Sequence, residues 1–193
     1  MDLRDSAVWY AALGWHVIPL HSIRDGVCTC GKTKCDSPGK HPHTKNGLKD
    51  ASNDPVVIER CWRQWPDANV GICTGARSGI VALDIDPRHG GDESLEALID
   101  EQGELPSTVE AISGSGGQHL IFTHPGGTIR NRTSLLVGID VRGDGGYIVG
   151  PPSIHISGAQ YRWRDGHGPH EIKPAAIPPP LLELMTAVHL TRG

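Results

Sequence analysis

The sequence has 193 residues, which suits one domain with a small appendage, and 37% of them are hydrophobic, enough for a core. A net charge of −4 argues against a protein that coats nucleic acid by bulk positive charge, but it leaves room for a local basic groove. No apolar run approaches the ~20 residues of a membrane span, and the N-terminus lacks a secretory pattern. We therefore expect no membrane association and a cytoplasmic location.

The chain begins with a predicted helix over residues 3–13 and a short strand, "WHVIPL". Residues 21–50 have no apolar periodicity, so they predict a long loop. Loops of this length are usually functional, held by a metal or disordered.

This loop contains thiols and imidazoles in the stretch "CTCGKTKCDSPGKHPH". The chain has 5 cysteines, and an odd number in a cytosolic protein argues against a disulfide framework. Thiolates together with an imidazole suit tetrahedral Zn²⁺. We expect a structural zinc site, with His43 as a substitute for the fourth ligand and a loop of free thiols as the alternative. The expected ligands are Cys28, Cys30, Cys35 and His41.

The loop is also rich in lysine. Its lysines predict either a basic surface for template phosphates or a simply solvated loop. They are Lys32, Lys34, Lys40, Lys45 and Lys49.

After the loop, helices and strands alternate. Asp54 and Pro55 have the pattern of an N-cap and a first helical turn, and "DESLEALIDEQG" predicts a helix that stops at glycine. Strands are predicted at 69–73, 79–86, 108–112, 118–123, 137–142, 146–150 and 160–163, and the C-terminal segment predicts a helix that begins at prolines. This mixture indicates an α/β or α+β domain.

The strand "VALDIDP" carries two aspartates on one face. Because side chains alternate along a strand, Asp84 and Asp86 lie opposite Val81, Leu83 and Ile85. Two neighbouring carboxylates repel each other unless a cation lies between them. Mg²⁺ or Mn²⁺ would take such oxygen ligands, and a solvated strand end is the alternative.

Two further segments carry polar groups. "SGSGGQHLIF" places a glycine turn before a strand that contains His119, and adjacent glycines allow close approach of the backbone to a phosphate. In "VGIDVRGDGGYIVGPPS", Asp140 and Arg142 share one strand face, whereas Asp144 belongs to a glycine turn. Asp84, Asp86 and Asp140 together predict a two-metal site for phosphoryl transfer.

The three motifs "LDID", "SGGQHLIF" and "GIDVRGDGGYIVGPPS", in this order, resemble those of the archaeo-eukaryotic primase superfamily. The closest likeness is to its primase-polymerase (prim-pol) branch in phage and plasmid replication proteins. The likeness covers roughly residues 10–165.

The resemblance implies an α+β fold, in which an RRM-like antiparallel or mixed sheet has helices on one face and a smaller N-terminal α/β module beside it. It implies primer synthesis and extension from NTPs and dNTPs on a single-stranded DNA template. Asp84, Asp86 and Asp140 would be the catalytic metal ligands. The implied nucleotide-binding residues are His119, Ser115, Gly116, Gly117, Asn69 and Arg142.

We expect residues 1–175 to form the catalytic domain, with the zinc loop inserted at 21–50. Residues 176–193 are expected to be a helix or a linker toward a possible downstream region. The resemblance also implies a helicase partner, in cis or in trans.

Two other classes of function remain at this stage. One is a non-catalytic nucleic-acid-binding module of the same fold, although the four motif residues Asp84, Asp86, His119 and Asp140 are intact. The other is a metal-dependent nucleotide-sugar transferase with a D-x-D motif, which does not account for His119 and Asp140.

Overall fold

A computed structural model of the chain describes residues 1–187. The helices in this range are α1 (Leu3–Ala12), α2 (Pro55–Gln64), α3 (Gly91–Gln102) and α4 (Pro179–Thr186). The strands are β1 (Val17–Leu20), β2 (Ile23–Arg24), β3 (Val27–Cys28), β4 (Asn69–Cys73), β5 (Ile80–Ile85), β6 (Val109–Ile112), β7 (Gln118–Thr123), β8 (Arg132–Leu136), β9 (Ile139–Arg142), β10 (Tyr147–Gly150), β11 (Arg162–Trp163) and β12 (Ala175–Ala176). Two 3-10 turns cover Gly47–Asp50 and Pro87–His89.

Seven strands form the large sheet, in the order β11-β6-β7-β5-β9-β8, with β12 paired in parallel to β7. The other neighbours in this sheet are antiparallel. The central strand β5 therefore has β7 on one side and β9 on the other. This arrangement confirms the predicted α+β class.

A smaller sheet has the order β1-β4-β10, and both of its pairs are antiparallel. Its third strand, β10, comes after the main strands of the large sheet in the chain. The two sheets are thus interleaved in sequence, and β2 and β3 form a separate hairpin in the long loop.

Both faces of the large sheet are partly covered. One face packs on α3 and α4, through a cluster that includes Val81, Leu83, Ile85 and Phe122. The other face packs on α1 and α2, and this second cluster contains Ile80, Ala82, Val109 and Ile121. The polar face expected for "VALDIDP" is therefore polar only at its C-terminal end, because Ala82 is fully buried in the second cluster.

The start and stop signals of the helices are confirmed. The Asp54 carboxylate accepts a hydrogen bond from the Val56 amide at 2.8 Å and caps α2, and Gly103 follows α3 with a φ of +87°. Strands β4 and β7 match the predicted bounds. Strands β2, β3, β8 and β12 were not predicted.

Helix α4 packs against the large sheet. Leu181 is fully buried and Met185 is 5% exposed in the same cluster as Phe122. The packed unit therefore extends beyond residue 175 into α4. The end of the segment that was predicted as a helix or linker, residues 188–193, lies outside the described range.

Candidate active site and zinc-binding loop

Three motif residues lie side by side on neighbouring strands of the large sheet. Asp84 of β5 is the register partner of His119 on β7 and of Asp140 on β9. Because partners in a sheet point to the same face, the three side chains form a row. The His119 Nε2 atom is 3.4 Å from Asp84 Oδ1.

Arg142 links the two aspartates of this row. Its Nη2 atom donates to Asp84 Oδ2 at 2.8 Å and to Asp140 Oδ2 at 3.0 Å, and its Nε donates to Asp84 at 3.2 Å. The other Asp140 oxygen accepts from the Ser134 amide at 2.8 Å. The cation that two close carboxylates require is supplied by this guanidinium in the present conformation.

The electrostatics of the row keep Asp84 ionised. Burial alone would raise the pKa of Asp84, but the hydrogen bonds and charges of His119 and Arg142 lower it well below the usual range of an aspartate. His119 is 6% exposed, and its buried Nδ1 has no hydrogen-bond partner among residues 1–187. The imidazole thus contacts Asp84 through Nε2 and keeps a buried Nδ1 atom without a hydrogen bond in this range.

Asp86 is placed differently from Asp84. It is the N-cap of the turn Pro87–His89, and it accepts hydrogen bonds from the Arg88 amide and guanidinium and from His89 Nδ1. The Arg88 side chain is the main reason why the pKa of Asp86 is lowered to about 2. Within residues 1–187, Asp84, Asp86 and Asp140 do not converge into a compact set of metal ligands like the cysteine cluster described below.

The glycine turn folds around a serine that the motif analysis passed over. Ser113 Oγ accepts from the Gly117 amide at 3.0 Å and from the Ser115 amide at 3.4 Å, and the Ser113 carbonyl accepts from the Gly116 amide. A phosphate would have to replace these oxygens to reach the three amides. Glycine is required at 117, because a Cβ there would lie 2.7 Å from the Ile85 carbonyl oxygen.

Asn69 is fully buried and lies outside the wall of the cleft. Its Nδ2 donates to the carbonyls of Gly39 and Ile154, each at 2.9 Å, and its Oδ1 accepts from the Ile154 amide at 2.9 Å. Both amide hydrogens are therefore used within the protein. The structure gives Asn69 a bracing position between β4, the long loop and residue 154.

The row faces a cleft of ≈ 1080 Å³. This volume is at the upper end of the roughly 300–1,000 Å³ that small-molecule sites usually have, so the cleft is large enough for a nucleotide together with part of a strand. Its wall includes Asp84, Asp86, Asp140, Arg142, His119, Ser115 and Gly117. It also includes Lys40, one of the lysines considered for template phosphates, and Ser37, Arg88, Ser113, Tyr147 and Tyr161.

The predicted zinc ligands come together in the long loop. One ligand atom from each of Cys28, Cys30, Cys35 and His41 lies within 4.8 Å of the other three. The His41 Nε2 atom is 3.5 Å from Cys28 Sγ and 3.4 Å from Cys35 Sγ. Tetrahedral Zn²⁺ with its usual bond lengths separates a sulfur and a nitrogen by about 3.5 Å, so this donor set fits zinc.

His43, the substitute fourth ligand, is not in this group. Its ring stacks on Trp65 with centroids 4.9 Å apart and lies 3.7 Å from the ring of His21. Burial and the neighbouring His21 and His41 lower the pKa of His43 to about 4. The structure therefore favours His41 as the fourth ligand.

Some features of the site have a signal in the sequence and others have none. The order Asp86-Pro87 repeats the cap pattern of Asp54-Pro55, so the capping role of Asp86 was readable. Nothing in the sequence separates Lys40 from the other lysines of the loop. Its place in the cleft depends on how the loop packs against β4 and β10 of the small sheet.

Comparison with known families matches residues 7–180 to the model "Bifunctional DNA primase/polymerase, N-terminal" (Prim-Pol). Comparison with curated proteins gives no match. No helix within residues 1–187 has the length and apolar character needed to cross a membrane. The family match at residues 7–180 spans most of the chain and includes the row, the glycine turn and the zinc loop. The chain therefore belongs to the Prim-Pol family of bifunctional DNA primase/polymerase N-terminal domains.

Proposed function

We propose that this chain makes and extends primers on a single-stranded DNA template by nucleotidyl transfer from nucleoside triphosphates. Membership in the Prim-Pol family supports a primase or polymerase role in replication. The observation that carries the proposal is the row of His119, Asp84 and Asp140 on three adjacent strands, which faces a nucleotide-sized cleft. The likeness of the motifs to phage and plasmid proteins suggests replication of such elements as the setting.

In the reaction, the 3′ oxygen of the primer forms a bond to the α-phosphorus, and the bond from that phosphorus to the leaving pyrophosphate breaks. Asp84, Asp86 and Asp140 would hold two divalent ions, Mg²⁺ or Mn²⁺, after Arg88 and Arg142 give up their present contacts with these carboxylates. When bound, such ions activate the 3′ hydroxyl and neutralise the leaving group.

The residues of the chain position the substrate. His119 and Ser115 lie on the wall of the cleft, where they can donate hydrogen bonds to phosphate oxygens, and Gly117 lets the backbone come close. The Arg142 guanidinium can exchange its carboxylate contacts for a phosphate of the substrate. It binds both kinds of anion well, because its N–H groups match the oxygens of a carboxylate and of a phosphate. Asp84 is ionised at neutral pH, and a bound ion would compete with Arg142 for its oxygens.

The test is synthesis on primed and unprimed single-stranded DNA with labelled NTPs or dNTPs and Mg²⁺ or Mn²⁺. Asp84→Asn keeps the size of the side chain and removes its charge, so we expect synthesis to fall at least 100-fold, or about 3 kcal/mol in the barrier. Asp100→Asn, at an exposed position of α3, is the matched control and should retain full activity.

Products on the unprimed template would show priming as well as extension, and the choice between NTPs and dNTPs would fix the substrate. Transfer from a nucleotide sugar instead of a triphosphate would contradict the proposal. So would template binding without synthesis under every condition, which would indicate a binding module. A helicase partner stays a prediction from the resemblance.

A further inference from the structure

One lysine of the zinc-binding loop differs from the others in its surroundings. Lys32, Lys34, Lys45 and Lys49 are exposed, whereas Lys40 is half-buried and lies on the wall of the cleft. Lys40 therefore faces the same space as Asp84 and His119, although it comes from a separate part of the chain. The loop that holds the zinc ligands forms one side of the candidate active site.

The backbone around Lys40 is fixed at three successive carbonyl groups. The Gly39 carbonyl accepts from Asn69 Nδ2 at 2.9 Å, the Lys40 carbonyl from the Tyr147 hydroxyl at 2.7 Å, and the His41 carbonyl from the His21 amide at 2.8 Å. These three donors come from β4, β10 and the residue after β1. A side chain mounted on such a braced segment loses little further freedom when it binds a ligand.

The neighbouring cations of the cleft are already paired, and Lys40 is not. Arg142 contacts Asp84 and Asp140, and Arg88 contacts Asp86. In the described part of the chain, the Lys40 ammonium has neither an ion pair nor a side-chain hydrogen bond. An unpaired, half-buried ammonium on the wall of this cleft is suited to bind an anion.

Lys40 also lies near the glycine turn. Ser113, Ser115 and Gly117 of the turn line the same cleft as Lys40. Lys40 and the turn thus border one space, which the incoming nucleotide would occupy in the proposed reaction.

We propose that Lys40 binds the triphosphate of the incoming nucleotide, and that Asn69, Tyr147 and the zinc ligand His41 position it for this. This inference rests on the proposed nucleotidyl transfer and adds the zinc-binding loop to its active site. It gives the loop a direct part in substrate binding, and it gives Asn69 an indirect one through the Gly39 carbonyl.

The experiment measures the equilibrium affinity of the zinc-loaded chain for a dNTP, without template and with Ca²⁺ in place of the catalytic ion. Lys40→Met removes the charge and keeps the length, so we expect the dissociation constant to rise about tenfold. Lys40→Arg should recover most of the affinity. Lys34→Met is the matched control, since Lys34 also precedes a zinc ligand but is exposed, and it should change the affinity less than about twofold.

Zinc content and melting temperature are measured on each variant and should equal those of the wild type. Affinity for a short single-stranded oligonucleotide, measured without nucleotide, should also be unchanged in Lys40→Met. Wild-type nucleotide affinity in Lys40→Met, or a loss of oligonucleotide affinity alone, would overturn the inference. A wild-type chain that binds no nucleotide would overturn the proposed function as well.

The positioning role of Tyr147 is tested by a double-mutant cycle. Tyr147→Phe removes the hydrogen bond to the Lys40 carbonyl and should weaken dNTP binding about threefold in the wild-type background, without loss of zinc. In the Lys40→Met background the same change should have no further effect. An equal effect in both backgrounds would show that Tyr147 acts independently of Lys40.

Discussion

Arg142 occupies the position that a cation must fill when two carboxylates lie on adjacent strands. Its hydrogen bonds to Asp84 and Asp140 offset part of the negative charge of the pair. A divalent ion at this place would compete with the guanidinium or share the carboxylates with it. Such a competition would make the metal affinity of the proposed site dependent on Arg142, which is not itself a proposed ligand.

Replacement of Arg142 by alanine should reveal this competition. We expect Arg142→Ala to melt at a lower temperature than the wild type without metal, because Asp84 and Asp140 then repel each other. Added Mn²⁺ should raise its melting temperature by more than that of the wild type. Arg162→Ala, at an exposed position, is the control, and a Mn²⁺ response of Arg142→Ala no larger than that of the wild type would contradict the idea.

Asp144 stabilises the fold through its charge, away from the row. Its carboxylate accepts from the amides of Ala76 and Ile129, each at 2.8 Å. The Ala76 hydrogen bond is the largest cause of the lowered pKa of Asp144. Since the folded pKa is depressed, the stabilisation is complete above the ordinary value near 3.8 and is lost as the pH falls through the folded pKa.

Asp144→Asn should therefore lower the free energy of unfolding by about 1.5 kcal/mol at pH 7. The difference from the wild type should shrink as the pH falls below about 4. Urea unfolding at pH 7 and pH 3 measures both values. A difference that is equal at the two pH values would mean that the charge of Asp144 contributes nothing.

Among the elements, the loop with the donors Cys28, Cys35 and His41 is the one that a bound zinc ion would stabilise most. Its donor atoms have the spacing of a zinc site. We expect Cys35→Ser to lose the bound zinc and to lower the melting temperature by about 5–10 °C. Cys61→Ser, in α2 and away from the loop, should keep the zinc. Metal analysis of the purified variants decides this, and full zinc content in Cys35→Ser would exclude the proposed ligand set.

The regular elements could be predicted because their signals are local. Asp54, Pro55 and Gly103 mark helix ends by their own chemistry, and short, mostly apolar runs mark β4, β5 and β7. Strand β8 could not be read in this way, because Ser134 has a φ of +53° and the strand is irregular between Arg132 and Leu136. A polar segment with such a shift in register has no period of two.

For the candidate site, the sequence predicted which side chains share a strand face but not which strands are neighbours. Alternation along the strands placed Asp84 and Asp140 on polar faces, but their row with His119 depends on β5 lying between β7 and β9. That order is a property of the tertiary fold. The same limit hid the burial of Ala82, the bracing by Asn69 and the place of Lys40, since each depends on elements distant in sequence.

At the scale of the whole molecule, α4 completes the core under the large sheet. Leu181 is fully buried against it. Leu181→Ala should lower the free energy of unfolding by about 3 kcal/mol, because it removes apolar contacts and leaves a cavity. Glu183→Ala, exposed on the same helix, should change it by less than about 0.5 kcal/mol. Equal urea stability of Leu181→Ala and the wild type would show that α4 is a separate appendage.

The chain returns to the small sheet with β10, and this limits which segments can be exchanged with those of another family member. Strand β4 lies between β1, which precedes it, and β10, which follows almost all of the large sheet. If only the residues before β5 were exchanged, β4 of the donor protein would have to pair with β10 of this chain. A poor fit between the two strands would leave an unpaired sheet edge. A transplant of the zinc-binding loop alone leaves all pairs of the two larger sheets intact. The loop is thus the part of the N-terminal half that can vary or be exchanged as a cassette, provided that the recipient keeps the donors corresponding to Asn69 and Tyr147.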